Sequence, residues 1–433
     1  MKTKVHVVKS YAASCLTAIL VASIMVTSAV FAVDVIENET IALSADSSDD
    51  YAIASGVTLT LNVASGTSTM SGSISGDGAI AKTGEGSLVL AHEGGNTFSG
   101  GISLSKGNLT ANTSGAFGEG AISASGSTIH FNATDGVFSN DFTLGSTSVC
   151  TPTFKKNTTL AGSITLMREH NFFQEDAAAT VVFNGAIGGS RNLIYQSSAA
   201  ANIAQFKGAL TLNDLYAGSK WNQYGTLELY NPGNSFLGMV CLVQSKVVCK
   251  ATNVVNGASL TLRSATGAGA RFDLSGYDQT VTGVGFYYTS SATLPTASTT
   301  GCEITSDNPA TLKITGTGAN KTAPGFLAVN GKVTLEIDAD STFRQAFSNR
   351  TSATTGEIKV KSGILDIAGD STFRNVGRAT VSEAGTLEVN ANLGLALSGM
   401  TNLVLSGTFS ASTQPVTPSG PLTRSQPRWE SST

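Results

Sequence analysis

Along most of the chain, apolar and polar side chains alternate in short runs, each closed by Gly, Asn or Ser. Val57, Leu59, Leu61 and Val63 alternate with Thr58, Thr60 and Asn62. Val333-Thr334-Leu335-Glu336-Ile337 and Gly385-Thr386-Leu387-Glu388-Val389 keep the same step of two. That step sends one set of side chains to one face of a β-strand and the other set to the opposite face. The closing glycines and asparagines tolerate the positive φ of tight turns. Amphipathic helical spacing with caps is nearly absent, which disfavours βαβ folds. The pattern predicts an all-β chain of many short strands.

The runs also repeat in wording. Gly86-Ser87-Leu88-Val89-Leu90, Gly95-Asn96-Thr97-Phe98-Ser99-Gly100, Ile102 and Leu104 return as Gly225-Thr226-Leu227-Glu228-Leu229, Gly233-Asn234-Ser235-Phe236-Leu237-Gly238, Val240 and Leu242. Ser341-Thr342-Phe343-Arg344 is echoed by Ser371-Thr372-Phe373-Arg374. Repetition on this scale means stacked units, each needing neighbours to cover its apolar face. The predicted fold is a right-handed parallel β-helix (β-solenoid). With coils of about 20 to 25 residues stacked roughly 4.8 Å apart, it would hold roughly 15 to 19 coils. The repeat alignment turns Leu227, Leu229, Val240 and Leu242 inward and leaves Glu228 and Cys241 outward.

Three segments are expected. Residues 1–32 read as a cleaved signal peptide: Lys2, Lys4 and Lys9 precede an uncharged run from Ala12 to Ala32, with small residues at its end. An uncleaved membrane anchor is the competing reading, since 21 uncharged residues can span a bilayer. Residues 33–410 form the solenoid, and residues 411–433 a Pro- and Ser-rich irregular tail holding four of the nine prolines. Without the leader the chain keeps 23 basic and 30 acidic side chains, a formal charge of −7, which argues against a nucleic-acid partner. Cys150, Cys241, Cys249 and Cys302 follow the leader. Cys241 and Cys249 are the nearest pair for a disulfide, and buried free thiols are the equal alternative.

Residues 76–109 resemble the autotransporter-associated β-strand repeat. They read Gly76-Asp77-Gly78-Ala79-Ile80-Ala81-Lys82-Thr83-Gly84-Glu85-Gly86, continue through Leu88, Leu90 and Asn96-Thr97-Phe98-Ser99-Gly100-Gly101, and close on Gly107-Asn108-Leu109. Residues 225–249 carry a degenerate copy, with Leu237 and Met239 where the family has Ser and Gly. Gly118-Glu119-Gly120-Ala121-Ile122 and Phe154-Lys155-Lys156-Asn157 are similar to the GGAI and FxxN motifs of chlamydial polymorphic membrane proteins. The resemblance implies the passenger of a surface-displayed or secreted bacterial protein, found at the cell surface, at the outer membrane or outside the cell. It would be adhesin-like, meeting a host or matrix glycan or protein and relying on secretion or outer-membrane machinery. The family's membrane barrel does not fit in the tail, so the expectation is export through another protein, or a chain truncated or shifted near its end.

Chemistry is sparse. Nucleotide binding is rejected, because Gly331-Lys332 misses the phosphate-loop spacing and no GxGxxG precedes a helix. No metal site or cofactor is expected, since no CxxC pair or calcium repeat occurs. Asp338 and Asp340 share a strand face but read as a solvated turn. Arg168 to Asp176 is the densest polar patch; it reads as a surface loop, with a metal or acid/base role for His170 beside Glu169 or Glu175 as the sharper possibility. Tyr216, Trp221 and Tyr224, with Tyr230 nearby, are the candidate ligand-binding residues, because exposed rings beside amides stack on sugars or partner proteins. The leading function is structural and adhesive, with no readable catalysis. The alternative is a polysaccharide-active enzyme on a pectate-lyase-like β-helix. Three or more charged side chains in one groove would favour the enzyme, and a flat uncharged face would favour binding.

Overall fold

In the strand Thr58–Asn62, Leu59 and Leu61 are buried while Thr58, Thr60 and Asn62 face out. The same alternation holds in Val333–Asp338 and Arg378–Ala391, where Val333, Leu335, Ile337, Leu387 and Val389 are buried. A computed structural model shows what these runs build: strands joined by short turns, every pairing parallel, coiled into a β-solenoid of about 14 turns. The structure describes residues 32–218, 225–264, 269–288, 302–317, 321–324, 327–329, 331–348, 352–353, 356–369, 372–373, 376–391 and 402–411. The expected signal peptide and nearly all of the tail lie outside them.

Each coil visits three faces. The first face starts with a three-stranded sheet, Val33–Val35, Tyr51–Ile53 and Ile74–Gly76, and resumes as an eleven-stranded sheet from Gly136–Phe138 to Thr372–Phe373. The second runs through eight strands from Glu39–Ala42 to Ile187–Gly188, then the pair Thr211–Leu212 and Ser235–Phe236. The third is an eleven-stranded sheet from Thr67–Met70 to Gly283–Tyr288. Further on, the long strand Glu357–Gly369 pairs with Val333–Asp338 at its start and with Arg344–Ser348 at its end, joining the second and third faces in one sheet.

The coil length follows from the register. Asn108 pairs with Ser87 and Thr128 with Asn108, steps of 21 and 20 residues. Later coils are longer: Glu303 pairs with Arg271, a step of 32, which is one reason the turns are fewer than a uniform coil predicts. One apolar core runs from Val35 to Leu405 along the axis. Between Phe117 and Phe206 it is a column of rings, with Phe131 stacked on Phe154 at 5.1 Å and Phe183 on Phe206 at 4.8 Å. Such pairs add about 0.5–1.5 kcal/mol each beyond burial.

The family-like residues stack the coils. Asn96 is buried; its Oδ1 accepts from the Ile74 N–H (2.9 Å) in the coil before, and its Nδ2 donates to the Ala116 carbonyl (2.6 Å) in the coil after. Asn234 repeats this, with the Leu210 N–H at 2.9 Å and the Val254 carbonyl at 2.9 Å. Lys82 is fully buried and donates to the carbonyls of Thr83, Gly84 and Lys106 at 2.8–3.0 Å. Burial pushes its ammonium down to about 8 against the pull of Glu85. Gly84 turns beneath it at φ 80, where an added Cβ would lie 2.2 Å from the Val63 carbonyl oxygen.

Candidate functional site

Charged side chains gather in two grooves of the described surface: one is lined by Asp307, Lys332 and Glu357, and the other brings two arginines and a glutamate together. The second is the candidate site. It lies at the corner between the second and third faces, encloses about 650 Å³, and is lined by Ser146, Arg168, Glu169, Arg191, Asn192 and Asn213 among others. Two strands that follow the corner set the geometry. His170–Gln174 and Leu193–Ser197 pair in register, with His170 opposite Leu193. Counting back two positions puts Arg168 level with Arg191, and one position puts Glu169 level with Asn192. The corner itself demands unusual backbone, with Gly189 at φ 120 and Ser190 at φ 51.

Arg168, Glu169 and Arg191 are exposed. A relay of amides orders one side of the groove: Asn213 Nδ2 donates to Asn192 Oδ1 (2.9 Å), and Asn192 Nδ2 donates to Glu169 Oε2 (2.7 Å). Neither arginine forms an ion pair among the described residues. A guanidinium stays protonated at any physiological pH, so neither can act as a base. Of the three charged groups, only the Glu169 carboxylate can accept a proton, while the guanidinium groups offer hydrogen-bond donors alone.

His170 does not join it. The expected surface loop is a strand, and the imidazole points into the core, with Nδ1 2.7 Å from the Cys150 carbonyl oxygen and Nε2 3.0 Å from that of Leu144. With both nitrogens on carbonyls it has no position left for a metal or a proton relay with Glu169. Glu175 faces out, 3.5 Å from Lys155. The alternation His170, Phe172, Gln174, all buried, was the signal for a strand; the density of polar residues masks it. Gln174 is a core residue too, donating to the Ala179 carbonyl (2.6 Å) and accepting from the Tyr195 hydroxyl (2.9 Å).

Of the aromatic candidates, Trp221 and Tyr224 lie outside the described residues. Tyr216 sits half-buried in the strand Leu215–Ala217, level with Ile194 and Cys241, its hydroxyl 3.4 Å from Asp214 Oδ2. Burial, with Asp214 and Cys241 beside it, raises its phenol above the usual range. Tyr230 belongs to the first face, following Thr226–Leu229, and donates to Glu228 (2.9 Å) while Lys207 lies over its ring at 5.7 Å.

Asp340 caps a turn, accepting from the Thr342 N–H at 3.0 Å and hydroxyl at 2.9 Å, as its position before Ser341-Thr342 suggests. Asp338 instead belongs to a charge ladder with Lys313 (2.6 Å), next to the Lys361–Glu336 pair (2.8 Å). The second face is different in kind. One outward row, in register from strand to strand, is Thr40, Thr60, Ala81, Ser103, Ser123, Thr143 and Thr165.

Leu227, Leu229, Val240 and Leu242 are buried as the repeat alignment predicts, and Glu228 faces out. Cys241 corrects the alignment: it is fully buried despite its outward parity. It lies on the third face and Cys249 on the first, and all four thiols are free and buried, so the Cys241–Cys249 disulfide is not formed. Burial pushes the thiols of Cys150, Cys241 and Cys302 up to about 12, 11 and 12. Among the described residues no group of three or more His, Cys, Asp or Glu is placed to hold a metal ion.

No family model, curated protein or solved structure matches this chain. The solenoid is compatible with a passenger-like repeat protein, and the likeness rests on the residues quoted above.

Proposed function

We propose that the chain is an exported, passenger-like repeat protein of the cell surface, outer membrane or extracellular space, with a structural and adhesive role toward a host or matrix glycan or protein. The observation that carries this reading is the second face, whose outward ladder of Thr40, Thr60, Ala81, Ser103, Ser123, Thr143 and Thr165 stays in register and uncharged across seven successive strands. Parallel stacking holds these side chains at a regular spacing of roughly 4.8 Å, so a partner meets a preorganised array and orders little on binding. As ligand-binding residues, Tyr216 on the third face, together with Trp221 and Tyr224, would add stacking contacts to those of the ladder.

The test is adhesion of the purified chain to immobilised matrix proteins and a glycan panel, alone and with Ser103→Lys/Thr143→Glu, which charges the ladder without touching the core. Binding by the unaltered chain that the charged variant loses supports the role; no binding to any surface by the unaltered chain overturns it. Export is checked separately by mass spectrometry of the native protein, where a start near Val33 is expected and an intact Met1 speaks for an anchor. A second reading, polysaccharide cleavage, is favoured by the meeting of Arg168, Glu169 and Arg191 in one groove. It requires shortening of a polysaccharide that Glu169→Gln abolishes.

A further inference from the structure

The geometry points to a subsite for an acidic sugar in the corner groove, with Arg168 and Arg191 as its anion clamp. This names a ligand class for the adhesive role proposed above and rests on that role.

Three observations lead there. First, the two arginines are level with each other on adjacent coils, two positions before the paired residues His170 and Leu193. Adjacent coils are roughly 4.8 Å apart, so two like-charged side chains leave neighbouring backbone positions, an arrangement that costs stability when nothing neutralises it. Second, basic side chains elsewhere on the outer surface are commonly neutralised by a carboxylate. Lys155 pairs with Glu175, Lys156 with Asp176, Lys250 with Glu228 and Lys313 with Asp338. Neither groove arginine has such a partner within ion-pair distance, and Glu169, which lines the same groove, turns Oε2 to Asn192 instead. Third, the remaining lining suits a sugar. Ser146 and Ser190 bring hydroxyls, Asn213 a side-chain amide fixed by Asn192, and Met167, 45% exposed, an apolar edge for a ring face.

A guanidinium presents parallel N–H donors to the two oxygens of a carboxylate or sulfate, and two forks one coil apart bracket a single such group. Uronate and sulfated sugars share that chemistry. In a chain whose formal charge is −4, two arginines against one glutamate leave the groove with an excess of positive charge, which gives an acidic polymer a favoured landing point.

The experiment measures affinity of the full chain for heparin as the sulfated probe, polygalacturonate as the carboxylate probe and dextran as the neutral one. The variants are Arg168→Gln/Arg191→Gln, Arg168→Lys/Arg191→Lys, and a charge-matched control, Lys106→Gln/Lys332→Gln. Thermal melts confirm that each is folded. The unaltered chain is expected to prefer one acidic glycan over dextran by at least about tenfold, and the Gln pair to lose that preference. The Lys pair should keep part of it, and the control all of it. Which acidic probe binds distinguishes sulfate from carboxylate. Equal losses in the control and the Gln pair, or no preference for either acidic probe, overturn the inference. Adhesion that persists in the Gln pair but fails in Ser103→Lys/Thr143→Glu sinks the clamp and leaves the adhesive role standing. Polygalacturonate that shortens on incubation, but not with Glu169→Gln, replaces the clamp by an enzyme.

Discussion

A buried asparagine that bonds forward and backward is the smallest unit that holds two coils at a fixed distance. Removing the Asn96 side chain would orphan the Ile74 N–H and the Ala116 carbonyl at once. Each buried polar group left without a partner costs about 1–3 kcal/mol. Asn96→Ala should therefore lower stability by about 2–5 kcal/mol, and Asn234→Ala by as much, whereas Asn184→Ala, at an exposed position, should cost well under 1 kcal/mol. Urea midpoints of the three variants decide it, and equal small losses would mean that backbone pairing alone fixes the stacking. Leu229→Ala should cost about 2–5 kcal/mol through its cavity, and Trp221→Ala almost nothing if that ring is a surface contact. Comparable unfolding of both would make Trp221 a core residue. None of this polar anchoring was legible in advance. Asn96 sits between runs, where period-two reasoning has nothing to say; Lys82 shares the inward parity of Ile80 in Ala79–Thr83, but Asn and Lys read as turn and surface residues by default.

The repeated element is a strand, a stapled turn and a second strand, and its two copies occupy different faces. Ser87–Leu90 belongs to the third face and Ile102–Leu104 to the second; Thr226–Leu229 belongs to the first and Met239–Val243 to the third. A three-sided coil has three comparable corners, so the same wording can serve at any of them. The inward set was legible because alternation is independent of the face; which sheet each copy joined was not, because that depends on the summed lengths of the turns before it. Cys241 shows the same limit, since parity gives direction and not cover. On the outward side of Thr226–Leu229, Glu228 meets Lys250 at 2.9 Å and accepts from Gln205 and Tyr230, both at 2.9 Å. Burial acts to raise its carboxyl, yet the bonds from Lys250, Tyr230 and Gln205 outweigh it and hold the group below the usual range. A folded value below the unfolded one, about 4.3, means a stabilisation that is present above that pH and lost as pH falls through the folded value. Glu228→Gln should cost about 1 kcal/mol at pH 7 and progressively less as pH falls toward 3. A gap between variant and parent that stays constant from pH 7 to pH 3 would show that packing, rather than charge, is what the glutamate contributes.

Over the whole solenoid the outer surface changes character along the axis, from hydroxyl ladders on the early second face to charge ladders near the other end. Arg344 bonds Asp366 and Glu388, Lys361 bonds Glu336, and Lys313 bonds Asp338. The Asp338 carboxyl is held below its ordinary value, first by the bond from Lys313 and then by the charges around it, against burial. Its contribution is therefore complete at neutral pH and disappears as the carboxylate is protonated below the unfolded value of about 3.9. Near the other end, Asp50 and Asp141 are lowered by bonds from Ser73 and Ser163 and are exposed enough for solvent to screen them. Each coil of a solenoid is supported only by its neighbours, so one end can open without the other. Acid should open the coils of Val333–Asp338, Glu357–Gly369 and Arg378–Ala391 first, while Ala79–Thr83, Ile102–Leu104 and Ile122–Ala124, with few charges to lose, stay closed. Amide hydrogen exchange at pH 6.5 and pH 3.5, corrected for the intrinsic rates, resolves the two ends. Protection should fall selectively across the three charged strands at the lower pH. Simultaneous loss along the whole axis would mean that the coils unfold as one cooperative unit, and earlier loss in Ala79–Thr83 would mean that the charge ladders do not set the acid stability of this fold.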